Sequence, residues 1–330
     1  MQSKPTAAFR PSSRRELRSG PVRAALAIAA ALAAAGAHAK TYCAHNASEL
    51  QAALTDAGSA GTSNNQDNTI QVANGTFTTS GAPFFFGTVS GFALTLEGGY
   101  NGTCSSQNLA RGSAGGGAAI ALNDANAGEI AIFDGNIVRD NVDGFGTGGL
   151  TIFGNGTAYI ENNLFVGNSA PAAAALSTSL TVGTVYITNN TITGNTNTGS
   201  SNMITGIGEA GATGHVSNTI SYGNHGTGAY DFYLYGFEKV DFVHNDYTTI
   251  TGAPAPGGSG NLIGVDPQFV AVDDFHLRST SPLLQAGTLT PAGGLPVIDL
   301  EGHPRSFAGH VDLGAFENVD YIFANGFDPN

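Results

Sequence analysis

Between Asn68 and Phe269 the 330-residue chain alternates short apolar or β-branched runs with Gly, Asn and Ser. No run reaches the length or the 3.6-residue period of a helix, so short strands joined by tight turns are predicted. The pattern repeats. Ile132–Asn141, Tyr159–Asn168, Tyr186–Asn195 and Val216–Asn224 align nearly without gaps. One asparagine column falls at Asn136, Asn163, Asn190, Asn218 and Asn245, with spacings of 27, 27, 28 and 27. A second falls at Asn141, Asn168, Asn195 and Asn224, with spacings of 27, 27 and 29. An apolar column follows at Leu150, Leu176, Met203 and Phe232.

Three strands and three turns per period describe one triangular coil of an all-β, single-stranded parallel β-helix. A leucine-rich repeat needs Leu at tighter spacing, and a propeller blade needs about 40 residues. About seven coils are expected, stacked about 4.8 Å apart. Each residue then lies over its copy in the next coil. Asparagine suits such corners because it tolerates the left-handed backbone and its amide can hydrogen-bond along the stack.

A solenoid exposes apolar groups and strand edges at its ends, so it needs caps. Asn46 to Ala57 predicts a short capping helix: Asn46 and Glu49 have capping-box spacing, and Leu50, Ala53, Leu54 and Ala57 form one stripe. From residue 251 the texture becomes irregular and rich in Pro and Gly, which predicts a closing segment. The expected division is 1–39 leader, 40–110 cap and first coils, 111–250 regular repeats, 251–319 closure and 320–330 tail.

The leader rests on Arg10, Arg14, Arg15, Arg18 and Arg23, the Ala/Leu/Ile stretch Ala24 to Ala37, and Ala37-His38-Ala39. Together these predict a secretory signal peptide, with the protein secreted or on the cell surface. No later stretch is apolar for long enough to predict a membrane span. Residues 40–330 retain 6 basic and 24 acidic residues, a net charge of 6 − 24 = −18. Nucleic acid and anionic membranes are thereby excluded as expected partners. In an oxidising compartment Cys43 and Cys104, the two cysteines, are expected to pair. A metal site there is not expected, because no second Cys or close His pair accompanies either. A monomer is expected.

The chain resembles the right-handed β-helix proteins of the pectin-lyase-like superfamily. It is more closely similar to bacterial surface proteins with a choice-of-anchor Q domain. The residues that carry this likeness are Asp266-Pro267-Gln268-Phe269, Asp274-Phe275-His276-Leu277, Ser281-Pro282 and Asp312-Leu313-Gly314-Ala315-Phe316-Glu317. Leu284-Gln285-Ala286-Gly287 stands where the family carries Ile-Asp-Ala-Gly, so one acid is missing. Phe165-Val166-Gly167-Asn168 and Gly148-Gly149-Leu150 resemble short repeats of polymorphic outer membrane proteins. The resemblance implies a secreted or surface-anchored β-helix, commonly without assigned activity.

Two function classes follow. The first is a noncatalytic, adhesin-like or glycan-binding module for an extracellular polysaccharide or surface glycan. Tyr159, Tyr186, Tyr230, Tyr233 and Tyr235 are its candidate sugar contacts. The alternative is a polysaccharide lyase or glycoside hydrolase. Asp134 and Glu161 are 27 residues apart, so they should stack on adjacent coils as a carboxylate pair, the requirement of glycosidases; calcium binding is an alternative for the pair, and two exposed acids with outward-pointing side chains are the simpler account. A lyase would use calcium, for which Asp140 and Asp143, beside Arg139, are the nearest candidate ligands; a solvated turn is the simpler account of that cluster. His215, His225 and His244 are scattered and form no metal motif.

Overall fold

The computed structural model describes residues 40–73, 84–88, 93–105, 118–123, 128–208, 211–236, 239–253 and 256–318. The expected leader, 1–39, and the tail, 320–330, lie outside the described residues. The rest is a parallel β-solenoid with one helix among the described residues.

Three faces run along it. The first stacks Lys40–Ala44, Asn68–Ala73, Ala93–Tyr100 and Ile130–Asp134, then the second halves of Leu150–Glu161 and Ala173–Thr188, then Ala212–Ser217 and Lys239–Val243. The second face contains Phe84–Thr88, Ala118–Asn123, the first halves of the same two long strands, Met203–Gly208, Tyr230–Tyr235 and Ile250–Ala253. The third face is a six-stranded sheet from Ile137–Arg139 to Leu262–Ile263. Regular stacking thus amounts to about six turns among the described residues, one fewer than the repeat spacing suggests.

Alternate residues of each strand point inward. Val138, Ile152, Ile160, Phe165, Ile187, Ile192, Phe232 and Phe242 fill the interior and are all buried. Helix α1 (Ala47–Ala57) caps the first coil with Leu50, Ala53, Leu54 and Ala57. Its start is a capping box: Asn46 accepts the Glu49 N–H at 3.0 Å, and its amide donates to the Glu49 carboxylate at 2.8 Å. Cys43 and Cys104 form a disulfide that fastens the first strand to the turn after Tyr100. His45, only two residues from Cys43, places Nε2 3.2 Å from Cys43 Sγ.

The asparagine columns separate into two jobs that the sequence had merged. The left-handed backbone belongs to the residue before each ladder position: Gly135, Asn162, Asn189, Asn218 and His244 at one corner, and Asp140, Gly167, Gly194 and Gly223 at the next. The ladder proper is Asn136, Asn163, Asn190, Thr219, Asn245 and Asn261. In it the Asn163 oxygen accepts both the Asn136 backbone N–H (2.9 Å) and its side-chain amide (3.1 Å). Asn163 in turn donates to the Phe133 carbonyl at 2.8 Å and to Asn190 at 3.0 Å. Thr219, not Asn218, occupies this ladder, accepting from Asn190 and donating its own N–H to Asn245. The spacing of 28 therefore records a step from one column into its neighbour. The second ladder runs as expected through Asn141, Asn168, Asn195 and Asn224. In the apolar column Thr205, rather than Met203, lies between Leu176 and Phe232, because the strand pairing slips after Ala173.

The irregular C-terminal segment does more than close the end. After an antiparallel hairpin (Phe269–Ala271 with Asp274–Leu277) it doubles back along the corner between the first and third faces. Its Leu277, Leu283, Leu284 and Leu313 pack on Ile220, and its Leu300, Ala315 and Phe316 pack on Leu164 and Val166. The left-handed corner residues are its docking pegs. His244 Nδ1 meets the Ala286 carbonyl at 2.6 Å, and Asn218 exchanges two hydrogen bonds with Thr288. Asn189 donates to the Asp312 and Gly314 carbonyls, and Asn162 to that of Ile298.

Candidate functional site

The strand register places Asp134 directly beside Glu161 on neighbouring coils, with Glu97 on the far side of Asp134. The pair becomes a column of three outward-facing, half-buried carboxylates. Rungs about 4.8 Å apart are comparable with the carboxylate separation of about 5 Å in retaining glycosidases. Burial pushes the Asp134 carboxyl up; the Asn162 amide, donating to it at 2.9 Å, opposes this, the Glu97 charge adds to it, and Arg305 opposes it. Glu161 is pushed up to about 8, first by burial and then by Asp134. Tyr100 donates to Glu97 at 2.6 Å, and burial with that bond raises the phenol to about 12. Glu97 escapes the repeat pattern because 37 residues, not 27, separate it from Asp134.

Each calcium candidate makes a local contact. Asp140 takes the left-handed corner position and pairs with Arg139 at 2.8 Å, its side chain largely exposed. Asp143 accepts the Phe145 N–H of its own turn at 2.8 Å.

The five tyrosines divide. Tyr159, Tyr186 and His215 stack along the first face, beside the carboxylate column, with ring centroids 4.9 and 5.3 Å apart. Tyr186 has both ring faces covered in that stack, and Gly293 of the returning segment lies against its edge. Neither face of the Tyr186 ring is open to a sugar. On the second face the outcome differs. Tyr235 lies over Gly208 so closely that a Cβ on Gly208 would fall 1.8 Å from its ring, and its hydroxyl reaches the Thr178 carbonyl at 3.4 Å. The ring is laid flat on the sheet. Tyr233 stands 6.2 Å away, and Tyr230 is edge-on to Tyr233 at 6.3 Å. Register puts Gly206 and Ser177 beside Tyr233, and Gly208 and Ser179 beside Tyr235. The second face thus carries a neutral row in which Tyr233 and Tyr235 follow small and hydroxyl residues and are followed by Thr251 and Ala253.

Compared with protein-family models, with curated proteins and with solved structures, the chain matches none. Its sites stand on their own geometry.

Two further constellations carry no repeat signal. A cavity of about 100 Å³ lies between the third face and the returning segment, floored by Ile137, Leu164 and Phe316 and rimmed by Arg139, His276 and Glu301. His276 is held between Asp274 (2.5 Å) and Glu301 (3.0 Å). Burial alone would lower its pKa, but these two bonds outweigh burial and raise it. The second is Arg305, wholly buried with Asp299, Asp312 and Glu317. It donates to the Gly314 and Ala315 carbonyls, to Glu317 and to Asn162, and so pins the segment to the solenoid. Both depend on where the chain folds back, which spacing along the sequence does not encode.

Among the described residues no helix is long and apolar enough to cross a membrane.

Proposed function

We propose that this protein is an exported, noncatalytic β-solenoid that binds an extracellular glycan along its second face. The carrying observation is the tyrosine laid flat on Gly208, in a row with Ser177, Gly206 and Tyr233 beside it. A pyranose ring has apolar C–H faces and equatorial hydroxyls. An aromatic face receives the first, and serine hydroxyls, each donor and acceptor, receive the second. Stacked coils repeat the surface at intervals of about 4.8 Å, which suits an extended polymer more than a small ligand. Export is supported by the leader-like N-terminus and by the two cysteines bonded to each other. The likeness to choice-of-anchor Q proteins supports attachment at the cell surface.

A glycan array and a panel of polysaccharides, applied to the purified protein, test this. Tyr235→Ala is expected to weaken binding at least tenfold with an unchanged circular dichroism spectrum. Undiminished binding by Tyr235→Ala and Tyr233→Ala rejects the second face as the site.

A glycoside hydrolase is the alternative, favoured by one observation: Glu161, raised to about 8, would be protonated at neutral pH beside a second carboxyl, as a general acid must be. Its signature is polysaccharide degradation that is lost in Glu161→Gln and in Asp134→Asn.

A further inference from the structure

We propose that Cys43, Cys104 and His45, when the disulfide is reduced, form a site for a soft or borderline metal ion, Zn²⁺ or Cu⁺, which then fastens the N-terminal cap in place of the S–S bond. The ligand atoms are already gathered. Both sulfurs and His45 Nε2 lie within 4.8 Å of one another. Nε2 is 3.2 Å from Cys43 Sγ.

The imidazole is also oriented. Glu49 Oε2 lies 2.7 Å from His45 Nδ1 and accepts the His45 backbone N–H at 2.9 Å. Glu49 itself is fixed by the capping box of α1. In neutral His45 the carboxylate holds the proton on Nδ1, which leaves the Nε2 lone pair facing the sulfurs. A carboxylate on the distal nitrogen of a ligating histidine is the usual outer support of a metal site; it sets the tautomer and raises ligand basicity. A disulfide offers that lone pair no proton, whereas a metal ion held by the two thiolates would accept it. Two thiolates and one imidazole around a metal form a tetrahedral set with one open position, which water would fill. Thiolates select Zn²⁺ and Cu⁺ over Ca²⁺ and Mg²⁺. The cysteines sit on a strand and a turn, 5.7 Å apart at Cα, and His45 is exposed, so the groups can part enough to admit an ion.

The steps balance. Two equivalents of a small thiol, or one dithiol, reduce the S–S bond to two Cys thiols and are themselves oxidised to a disulfide. Metal binding then releases the two thiol protons to solvent. The bond and the metal site are alternative fasteners for the same cap, chosen by redox conditions.

The test is titration of the full, phosphine-reduced protein with Co²⁺, followed by competition with Zn²⁺. One Co²⁺ per chain is expected, with a thiolate-to-cobalt charge-transfer band, release of two protons, and displacement by Zn²⁺. The oxidised protein is expected to show no such band. His45→Ala, at an exposed position that leaves the fold intact, is expected to weaken Co²⁺ binding by at least tenfold, and Glu49→Gln by ten- to a hundredfold. Absence of the band in reduced protein whose circular dichroism is unchanged overturns the proposal. So does equal affinity in His45→Ala, which would leave two unsupported thiols as the binder.

Discussion

The guanidinium of Arg305 donates to the side-chain oxygen of Asn162 at 2.6 Å, joining residues 143 apart in sequence. Asn162 sits at a left-handed corner of the solenoid, and its amide nitrogen meanwhile holds Asp134 and the Ile298 carbonyl. One asparagine thus connects the returning segment to the carboxylate column.

Removing the charge at this junction should be costly. Arg305→Met leaves Asp299, Asp312 and Glu317 buried without their cation. Breaking a buried charged set by removing one partner costs about 3–5 kcal/mol. The urea midpoint is expected to fall accordingly, and protease is expected to cut between residues 284 and 318 before the solenoid unfolds. An unchanged midpoint with a protected segment would show that the network contributes nothing.

The two neighbouring asparagine columns should respond differently to substitution. Asn163→Ala strands the Asn136 N–H and the Phe133 carbonyl in the interior and is expected to cost at least about 2 kcal/mol in global stability. Asn162→Gly keeps the left-handed backbone affordable to the chain but cuts the tie to the returning segment. Its effect is expected in proteolysis of residues 284–318, with a smaller shift in the urea midpoint. Hydrogen exchange distinguishes the two outcomes residue by residue.

Stability is expected to decline from acid toward mild alkali. Burial raises Glu161 to about 8 from 4.5, Glu317 to about 8 and Asp246 to about 7 from 3.8. The folded protein keeps protons on these carboxyls that the unfolded chain releases above about pH 4 to 5. Their contribution is therefore fully present below that range and is lost as pH rises through 7 to 8. Urea midpoints measured from pH 5 to 8.5 should decrease, and Glu161→Gln should flatten the curve. A midpoint that rises over this interval contradicts the assignment.

Reduction in the presence of a metal chelator should loosen the cap. The disulfide closes a loop across 61 residues, which the chain-entropy model values at about 4 kcal/mol. Thermal unfolding with and without phosphine reductant measures this, and protection of Lys40–Ala44 in hydrogen exchange should be the first to fall.

How much of this the sequence shows depends on whether a feature repeats. The second asparagine ladder and the stacking of Asp134 on Glu161 are legible because parallel coils turn a spacing of 27 into vertical contact. Asn218 misleads because the 28-residue step moves an Asn into the adjacent column, where it serves as a peg while Thr219 takes its rung. Met203 misleads because an irregular pairing after Ala173 shifts the strand. Glu97 is hidden by an insertion that breaks the period. Arg305, the His276 cavity and the proximity of His45 to the cysteines depend on folding back or on local turns, and a linear pattern carries no trace of them. The tyrosines were visible only as residue type; that Tyr186 is stacked on both faces and Tyr235 lies flat on the sheet follows from the residue beside each on a neighbouring coil, His215 in one case and Gly208 in the other.

The four pegs Asn162, Asn189, Asn218 and His244 act as a tally of coils. Solenoids ordinarily change length by duplicating or deleting a unit, since each coil needs only its neighbours. Here the returning segment counts along the corner, and an extra coil between Asn162 and His244 would leave its contacts out of step. Among the described residues, the coils ahead of Asn136 carry no such peg, and there the period already stretches to 37 between Glu97 and Asp134. Variation in the length of this molecule among its descendants should therefore accumulate at the N-terminal end, with the segment spanned by the pegs inherited as a block.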